Sequence, residues 1–287
     1  MTGALTLAPA RAQAPLASPP YHTIFFSDGA PAIAFHRAGE AYLLRFPDLA
    51  DFEVSADGLS ATCRPAPHVR DATPEHLYVN QVLPLMRSRR GEAIYHGAAV
   101  ATPAGALACL GAAGRGKSTL AAAVARAGHA FLADDAVWAR PAGGHIEVVP
   151  GAPALRLWED SRAALVPRIA PAAPLHFTSK HRLAAAPRLP HADRPAPLRA
   201  IYLLGEGASA SVTIARTSAR EALLALLAHA FVIDIADRDL VARHFATTAR
   251  IANAVPCFQL DYPRRYETLE PLIATLEEHA SAEGVQR

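Results

Sequence analysis

Gly111-Ala112-Ala113-Gly114-Arg115-Gly116-Lys117-Ser118 is the stretch on which the reading of this chain turns. Its spacing is G-x-x-x-x-G-K-S. Glycines at these positions let successive backbone N–H groups turn inward around an anion, and a following helix adds the partial positive charge of its N-terminus. In such a loop Lys117 reaches the β- and γ-phosphates and the Ser118 hydroxyl ligates Mg²⁺. Residues 106–110 read as an apolar strand entering the loop. Residues 117–127 are strong helix formers, and Gly128 ends them. Strand, loop and helix predict a site for ATP and Mg²⁺ built from Gly111, Ala112, Ala113, Gly114, Arg115, Gly116, Lys117, Ser118 and Thr119.

One step upstream, residues 93–101 are apolar and strand-like, and Thr102-Pro103-Ala104-Gly105 is a turn. A parallel crossover needs a dozen or more residues, so a connection this short predicts an antiparallel hairpin. With Pro103 and Ala104 at the centre of the turn, Thr102 faces Gly105 and His96 lies opposite Gly111. The register favours a functional His96 over a core histidine bonded to a backbone group. Downstream, residues 130–133 form a short buried strand running into Asp134-Asp135. Ligands in α/β sheets gather at the C-terminal ends of strands. There one carboxylate can hold Mg²⁺ and the other can accept a proton from an attacking hydroxyl.

His96-Gly97, the loop ending Gly116-Lys117-Ser118, Ala127-Gly128-His129 and Ala133-Asp134-Asp135 together resemble the catalytic domain of bacterial HPr kinase/phosphorylase. The match covers residues 90–140. The resemblance implies an α/β (α+β) fold of the HPr kinase and phosphoenolpyruvate carboxykinase type, with a mixed sheet and an antiparallel hairpin before the phosphate loop. It implies that His96 orients or tunes the catalytic aspartate, Lys117 binds phosphate, Ser118 and Asp134 hold the metal, and Asp135 is the general base. Beyond residue 140 the chain departs from that family's glutamate-containing signature, and Glu159 or Asp160 is expected to take over that metal role. The Pro153-x-x-Arg156-Leu157-Trp158 element looks more like HPr-kinase-related proteins near ribosomal-peptide clusters, some of which are lasso-peptide kinases. The acceptor implied is a serine of a peptide or protein, and a homo-oligomer is the assembly implied. Alternative readings are an HPr kinase/phosphorylase-like regulator of carbohydrate metabolism, a carboxykinase-like enzyme and a non-catalytic nucleotide-binding regulator.

The rest of the chain sets bounds. Its 287 residues are 51% hydrophobic with a net charge of +2 and both signs spread along the sequence. No basic stretch carries interleaved aromatics, so nucleic acid is not an expected partner. Cys63, Cys109 and Cys257 lie far apart, without metal-ligand spacing. No apolar run is long enough to span a membrane, and a cytoplasmic protein is expected. Residues 1–20, rich in Ala and Pro, read as a disordered tail, 21–72 as a small β region, and 73–287 as the catalytic domain.

Of 28 basic residues only Lys117 and Lys180 are lysine. A lysine surviving among so many arginines marks a position where arginine does not serve. Lys180 or Arg182 is therefore expected to meet the γ-phosphate or the acceptor, with a solvated basic loop the alternative. Arg156 is expected to steady nucleotide or peptide. Further on, Ser218-Ala219-Arg220-Glu221 reads as a capping box opening a helix. Residues 257–260 read as an edge strand and 267–280 as a last amphipathic helix.

Overall fold

The computed structural model describes residues 3–26, 28–70, 72–172 and 178–285. The chain divides into two compact units, Met1–Glu92 with Ala173–Thr178 and Phe231–Arg243, and Ala93–Ala172 with Ser179–Ala230 and His244–Arg287.

The first unit is a six-stranded sheet: β1 (Ala4–Leu7), β2 (His22–Phe25), β3 (Pro31–Ala38), β4 (Ala41–Phe46), β5 (Ala50–Val54) and β6 (Ser60–Pro65) in the order β1-β6-β5-β4-β3-β2. Strict alternation makes the strands. Tyr42, Leu44 and Phe46 of β4 are buried while their neighbours Leu43 and Arg45 are only partly so. Helices α1 (Ala72–Leu77) and α2 (Leu83–Arg89) are joined by one π-type turn, Tyr78–Val82. Pro84 lacks the N–H that an α-helix would direct at Asn80, and the widened turn absorbs that loss. Leu77, Val82, Leu85 and Met86 close the core on the sheet, together with Ile233 and Leu240.

Two expectations are corrected here. Residues 3–20 are not a loose tail. Strand β1 pairs in parallel with β6, Gln13 donates to Asp51 (2.8 Å), and Tyr78 donates to the Gly3 carbonyl (2.7 Å). An Ala/Pro-rich composition hid one short strand whose partner is more than fifty residues away. The boundary at residue 73 also moves, because α1, α2 and residues 231–243 pack on the N-terminal sheet.

The second unit is mixed α/β. Its strands are β7 (Ala93–Tyr95), β8 (Gly97–Thr102), β9 (Gly105–Leu110), β10 (Ala130–Asp134), β11 (Val137–Ala142), β12 (His145–Val149), β13 (Ala154–Leu157), β14 (His181–Ala184), β15 (Ala196–Leu204), β16 (Thr213–Arg216) and β17 (Cys257–Asp261). The helices are α3 (Lys117–Arg126), α4 (Glu159–Leu165), α5 (Ala219–Ala228), α6 (Arg238–Ala254), which carries the chain back from the first unit, and α7 (Leu269–Val285).

Strands β8 and β9 form the expected hairpin, with Thr102 opposite Gly105 and Gly97 opposite Leu110. On its other side β9 is parallel to β15. Strand β17, expected at an edge, is parallel to β15 and antiparallel to β16, and so lies between two strands. Its buried Phe258 and Leu260 fit an interior place. The expected capping box is formed: Ser218 Oγ accepts from the Glu221 N–H (3.2 Å), and Glu221 accepts from the Ser218 N–H (2.8 Å). Helix α3 is alanine-rich on its buried side, which favours helix and lets it lie close to the sheet.

The 93–101 run is not one strand. Strand β7 pairs with β11, β8 pairs with β9 and β10, and the chain bends at His96 between them. Strands β10 and β11 bend at the same level. Asp134 lies opposite Ala98 and Val137 opposite Tyr95, so the two corners, at His96 and at Asp135, face each other.

Candidate active site

The phosphate loop leaves the C-terminal end of β9 and enters α3. Gly111, Gly114 and Gly116 all have positive φ. Gly116, at φ +85°, is the residue preceding the helix, and no side chain caps the first turn. The first amides of α3 therefore have no side-chain acceptor, which suits an anion. Lys117 folds back over the loop, and its Nζ donates to the Gly111 and Ala112 carbonyls at 2.6 and 2.9 Å. Burial, then the nearby Lys180 charge, lowers its pKa to about 8. Ala113 completes the loop. Arg115 points to Glu206, with 2.6 Å between them.

Asp134 and Asp135 stand across from Lys117 and Ser118. Asp134 accepts from the Ser118 hydroxyl at 2.7 Å and from the Arg156 backbone N–H at 2.8 Å. Burial, and then the charge of Asp135, pushes its pKa up to about 6. For Asp135 burial acts in the same upward direction, but Arg156 outweighs it and holds the carboxyl below its usual range. Arg156 Nε donates to Asp135 Oδ2 at 2.6 Å. Asp135 adopts φ +67°, a left-handed conformation uncommon for a residue with a side chain. The corner between β10 and β11 imposes it.

At the facing corner, His96 Nδ1 lies 3.1 Å from the Asp135 carbonyl, and the His96 N–H donates to the His229 carbonyl at 2.7 Å. Burial, then Lys117, drives the imidazole pKa down to about 4, so the ring is neutral. The sequence placed His96 beside the phosphate loop. The structure keeps it there, near Lys117, and brings it beside the Asp135 backbone as well. Next to His96, Gly97 lets β8 lie close against β9: a Cβ there would lie 2.3 Å from Leu110 Cδ2 and 2.8 Å from the Cys109 carbonyl.

A cavity of about 300 Å³ opens over these groups, near the lower end of the usual size for small-molecule sites. His96, Gly114, Gly116, Lys117, Ser118, Thr119, Asp135, Arg156 and Lys180 all line it. Among the described residues five cationic side chains line the cavity (Lys117, Arg156, Lys180, Arg264 and Arg265) against the carboxylates of Asp135 and Asp160. That excess suits a polyanion. Lys180 also lies 5.4 Å above the Trp158 ring.

The structure narrows three expectations. Glu159 does not line the cavity. It is exposed and pairs with Arg162 (2.7 Å) and His181 (3.0 Å), whereas the adjacent Asp160 does line the cavity. Arg182 lies opposite Arg156 across the β13–β14 ladder but is not part of the lining. Arg156, expected to steady nucleotide or peptide, lines the cavity and is also engaged with Asp135.

Sequence reasoning missed Tyr262, Arg264, Arg265 and Tyr266, which line the cavity from the segment after β17. Arg264 stacks on Tyr262 at 3.8 Å, and its Nη2 donates to the Gly205 carbonyl (2.8 Å). A Tyr-Pro-Arg-Arg-Tyr run following a strand was the available signal, because strand C-termini gather ligands. The mistaken edge assignment of β17 concealed it.

The donor set fits Mg²⁺. That ion takes one or two protein oxygens, keeps several waters and shares phosphate oxygens. Ser118 and Asp134 offer a hydroxyl and a carboxylate already in contact. Among the described residues no cluster of three His, Cys, Asp or Glu side chains suits a zinc-type site. No helix among them is long and apolar enough to cross a membrane.

No family model matches the chain, and no curated protein matches it in sequence. Among solved structures it is similar to the Hpr(Ser) kinase/phosphatase from Coxiella burnetii, with 10% identity over 65% of this chain and 95% of that one and a TM-score of 0.36. A likeness of that size carries nothing about chemistry, so what the site can do is read from its own groups.

Proposed function

We propose that the protein is an ATP-dependent, Mg²⁺-dependent kinase that transfers the γ-phosphoryl group to a serine hydroxyl of a peptide or protein. The observation that carries the reading is the Asp134–Asp135 pair beside the phosphate loop, with Asp134 in contact with the Ser118 hydroxyl and Asp135 lining a cation-rich cavity together with Lys117. Two adjacent carboxylates, Asp135 buried and Asp134 partly so, are costly to keep unless their charge has a use. A nucleotide-binding regulator needs the loop alone, so the pair favours an enzyme.

Lys117 exchanges the Gly111 and Ala112 carbonyls for phosphate oxygens, and the uncapped amides of α3 hold the β-phosphate. Ser118 and Asp134 would hold Mg²⁺, which when bound supplies charge neutralisation at the phosphates. The substrate hydroxyl oxygen bonds to the γ-phosphorus as the bond to the departing ADP oxygen breaks, and the hydroxyl proton passes to the Asp135 carboxylate. With its pKa held low by Arg156, Asp135 is a weak base. That suits a loose transition state in which the proton leaves late and orientation matters most. His96, neutral and bonded at the Asp135 backbone, positions that residue. Lys180 and Arg264 supply charge to the phosphoryl group in flight.

The Pro153–Trp158 element supports a ribosomally made precursor peptide, of the lasso type, as the acceptor. The test is transfer of label from γ-labelled ATP to a panel of serine peptides. We expect labelling that requires Mg²⁺ and stops when the metal is chelated. Nucleotide binding with no transfer to any acceptor would contradict the proposal.

A further inference from the structure

The second unit carries a groove that the phosphoryl-transfer site does not use. Its volume is about 560 Å³, and it lies between the C-terminal ends of α3 and α4 and the turn at residues 186–189. Leu165, Val166, Ile169 and Pro190 give it an apolar floor, and Arg126, Arg168 and Arg188 stand around it. Among the described residues no carboxylate lines it, and these three arginines have no ion-pair partner.

Arg126 alone would be explained by the helix C-terminus it occupies. Arg168 and Arg188 lie on no helix. Each is presented by a hydrogen-bonded turn: Ile169 N–H to the Val166 carbonyl at 3.0 Å, and the mutual bonds of Ala186 and Leu189 at 3.1 and 2.8 Å. Tight turns anchored by buried Val166 and Leu189 fix the backbone from which the two exposed arginines project at the groove. Arginine offers a planar fork that matches carboxylates. A neighbouring depression shares Arg126 and Leu165 and is lined by Glu267, Glu270 and Glu277. The surface is therefore polarised, positive on one side of Arg126 and negative on the other.

We infer that this groove docks an acidic segment of the acceptor polypeptide, with apolar residues set between its carboxylates. The assignment rests on the kinase reading for the word acceptor, while the docking itself rests only on the groove. The glutamate-lined side turns the acidic segment away and so fixes its direction. Helix α3 runs from the phosphate loop to Arg126, about 14 Å at 1.5 Å per residue. An extended chain covers that in about four or five residues. The phosphorylated hydroxyl then stands at least that far from the acidic segment.

The test uses a fluorescein-labelled peptide of alternating Asp and Leu, the same peptide with Lys for Asp, and polyuridylate as a competing polyanion. Binding is read by anisotropy to the full chain and to the triple variant Arg126→Gln/Arg168→Gln/Arg188→Gln. We expect the acidic peptide to bind the native protein more tightly than the lysine peptide. The triple variant should bind it about tenfold more weakly, the scale of three rim charges. A fluorescent ATP analogue should bind the variant as it binds the native protein, which also shows that the variant is folded. The single variant Arg188→Gln, on an exposed turn, serves if the triple one does not fold. Equal binding of the two peptides, or unchanged binding in the variant, overturns the inference. So does polyuridylate binding more tightly than the acidic peptide. Acidic-peptide binding in a protein that fails to bind the ATP analogue would leave the groove standing and remove the kinase reading.

Discussion

Asp134 and Asp135 are neighbours in sequence, yet their surroundings drive their carboxyls in opposite directions. Asp134, pushed up to about 6, is charged only above that pH, and its charge is what holds a cation beside Ser118. Lys117, lowered to about 8, is charged only below that pH, and its charge is what holds phosphate. Affinity for Mg²⁺-ATP should therefore be bell-shaped, weakening as pH falls through about 6 and as it rises through about 8. Calorimetric titration across that range checks it, and a flat profile would contradict it. His96, at about 4, adds no limb. The same shifts act on the stability of the ligand-free protein. The folded Asp134 takes up its proton before the unfolded chain does, so its share of stability grows as pH falls from about 6 toward 3.8. Asp135 is depressed, so its share is complete above the ordinary carboxylate range and is lost as pH falls through its folded value. Removing the arginine by Arg156→Ala leaves Asp135 buried and unpaired. That should cost about 3–5 kcal/mol in urea denaturation at neutral pH.

The hairpin and the corner beside it were legible to different degrees. A connection of two residues between β8 and β9 forces antiparallel pairing, and turn chemistry fixes its register, so both could be read from residues 97–110. The bend at His96 could not. It arises because β7 and β8 pair with different strands, and those partners are joined through Asp135, about forty residues on. Non-local pairing of this kind leaves no local signature. The segment after β17 was missed for the same reason, since only the pairing with β15 brings it to the phosphate loop's side of the sheet. Gly97 tests the hairpin next to that bend. Gly97→Ala drives a methyl into Leu110 and the Cys109 carbonyl, and overpacking of that kind should cost about 1–3 kcal/mol. Thermal unfolding measures the loss. Unchanged stability would mean that β8 and β9 are not so close.

Two units built from interleaved segments make up the whole chain. Residues 231–243 pack on a sheet whose six strands all come from residues 4–65, so the boundary between the units is not a single break in the sequence. The phosphate site lies within the second unit. Deleting residues 1–15 removes β1 and the Gln13–Asp51 bond from the first unit. Stability should fall by roughly 1–3 kcal/mol, while affinity for ATP stays as it was; lost affinity at full folding would contradict this division of labour. The phosphate loop, its helix and the aspartate pair were readable because they are local in sequence. The cation set around them was only partly readable, since Arg264 and Arg265 arrive from the far end of the chain.

The most direct measurement compares the native protein with Asp135→Asn, reading ATP affinity and transfer of labelled γ-phosphate to serine peptides in parallel. The account predicts that the variant binds ATP within a few-fold of the native protein but transfers phosphate slower by about 10²–10⁴-fold, the usual worth of a positioned acid–base group. Transfer at the native rate in Asp135→Asn would contradict it.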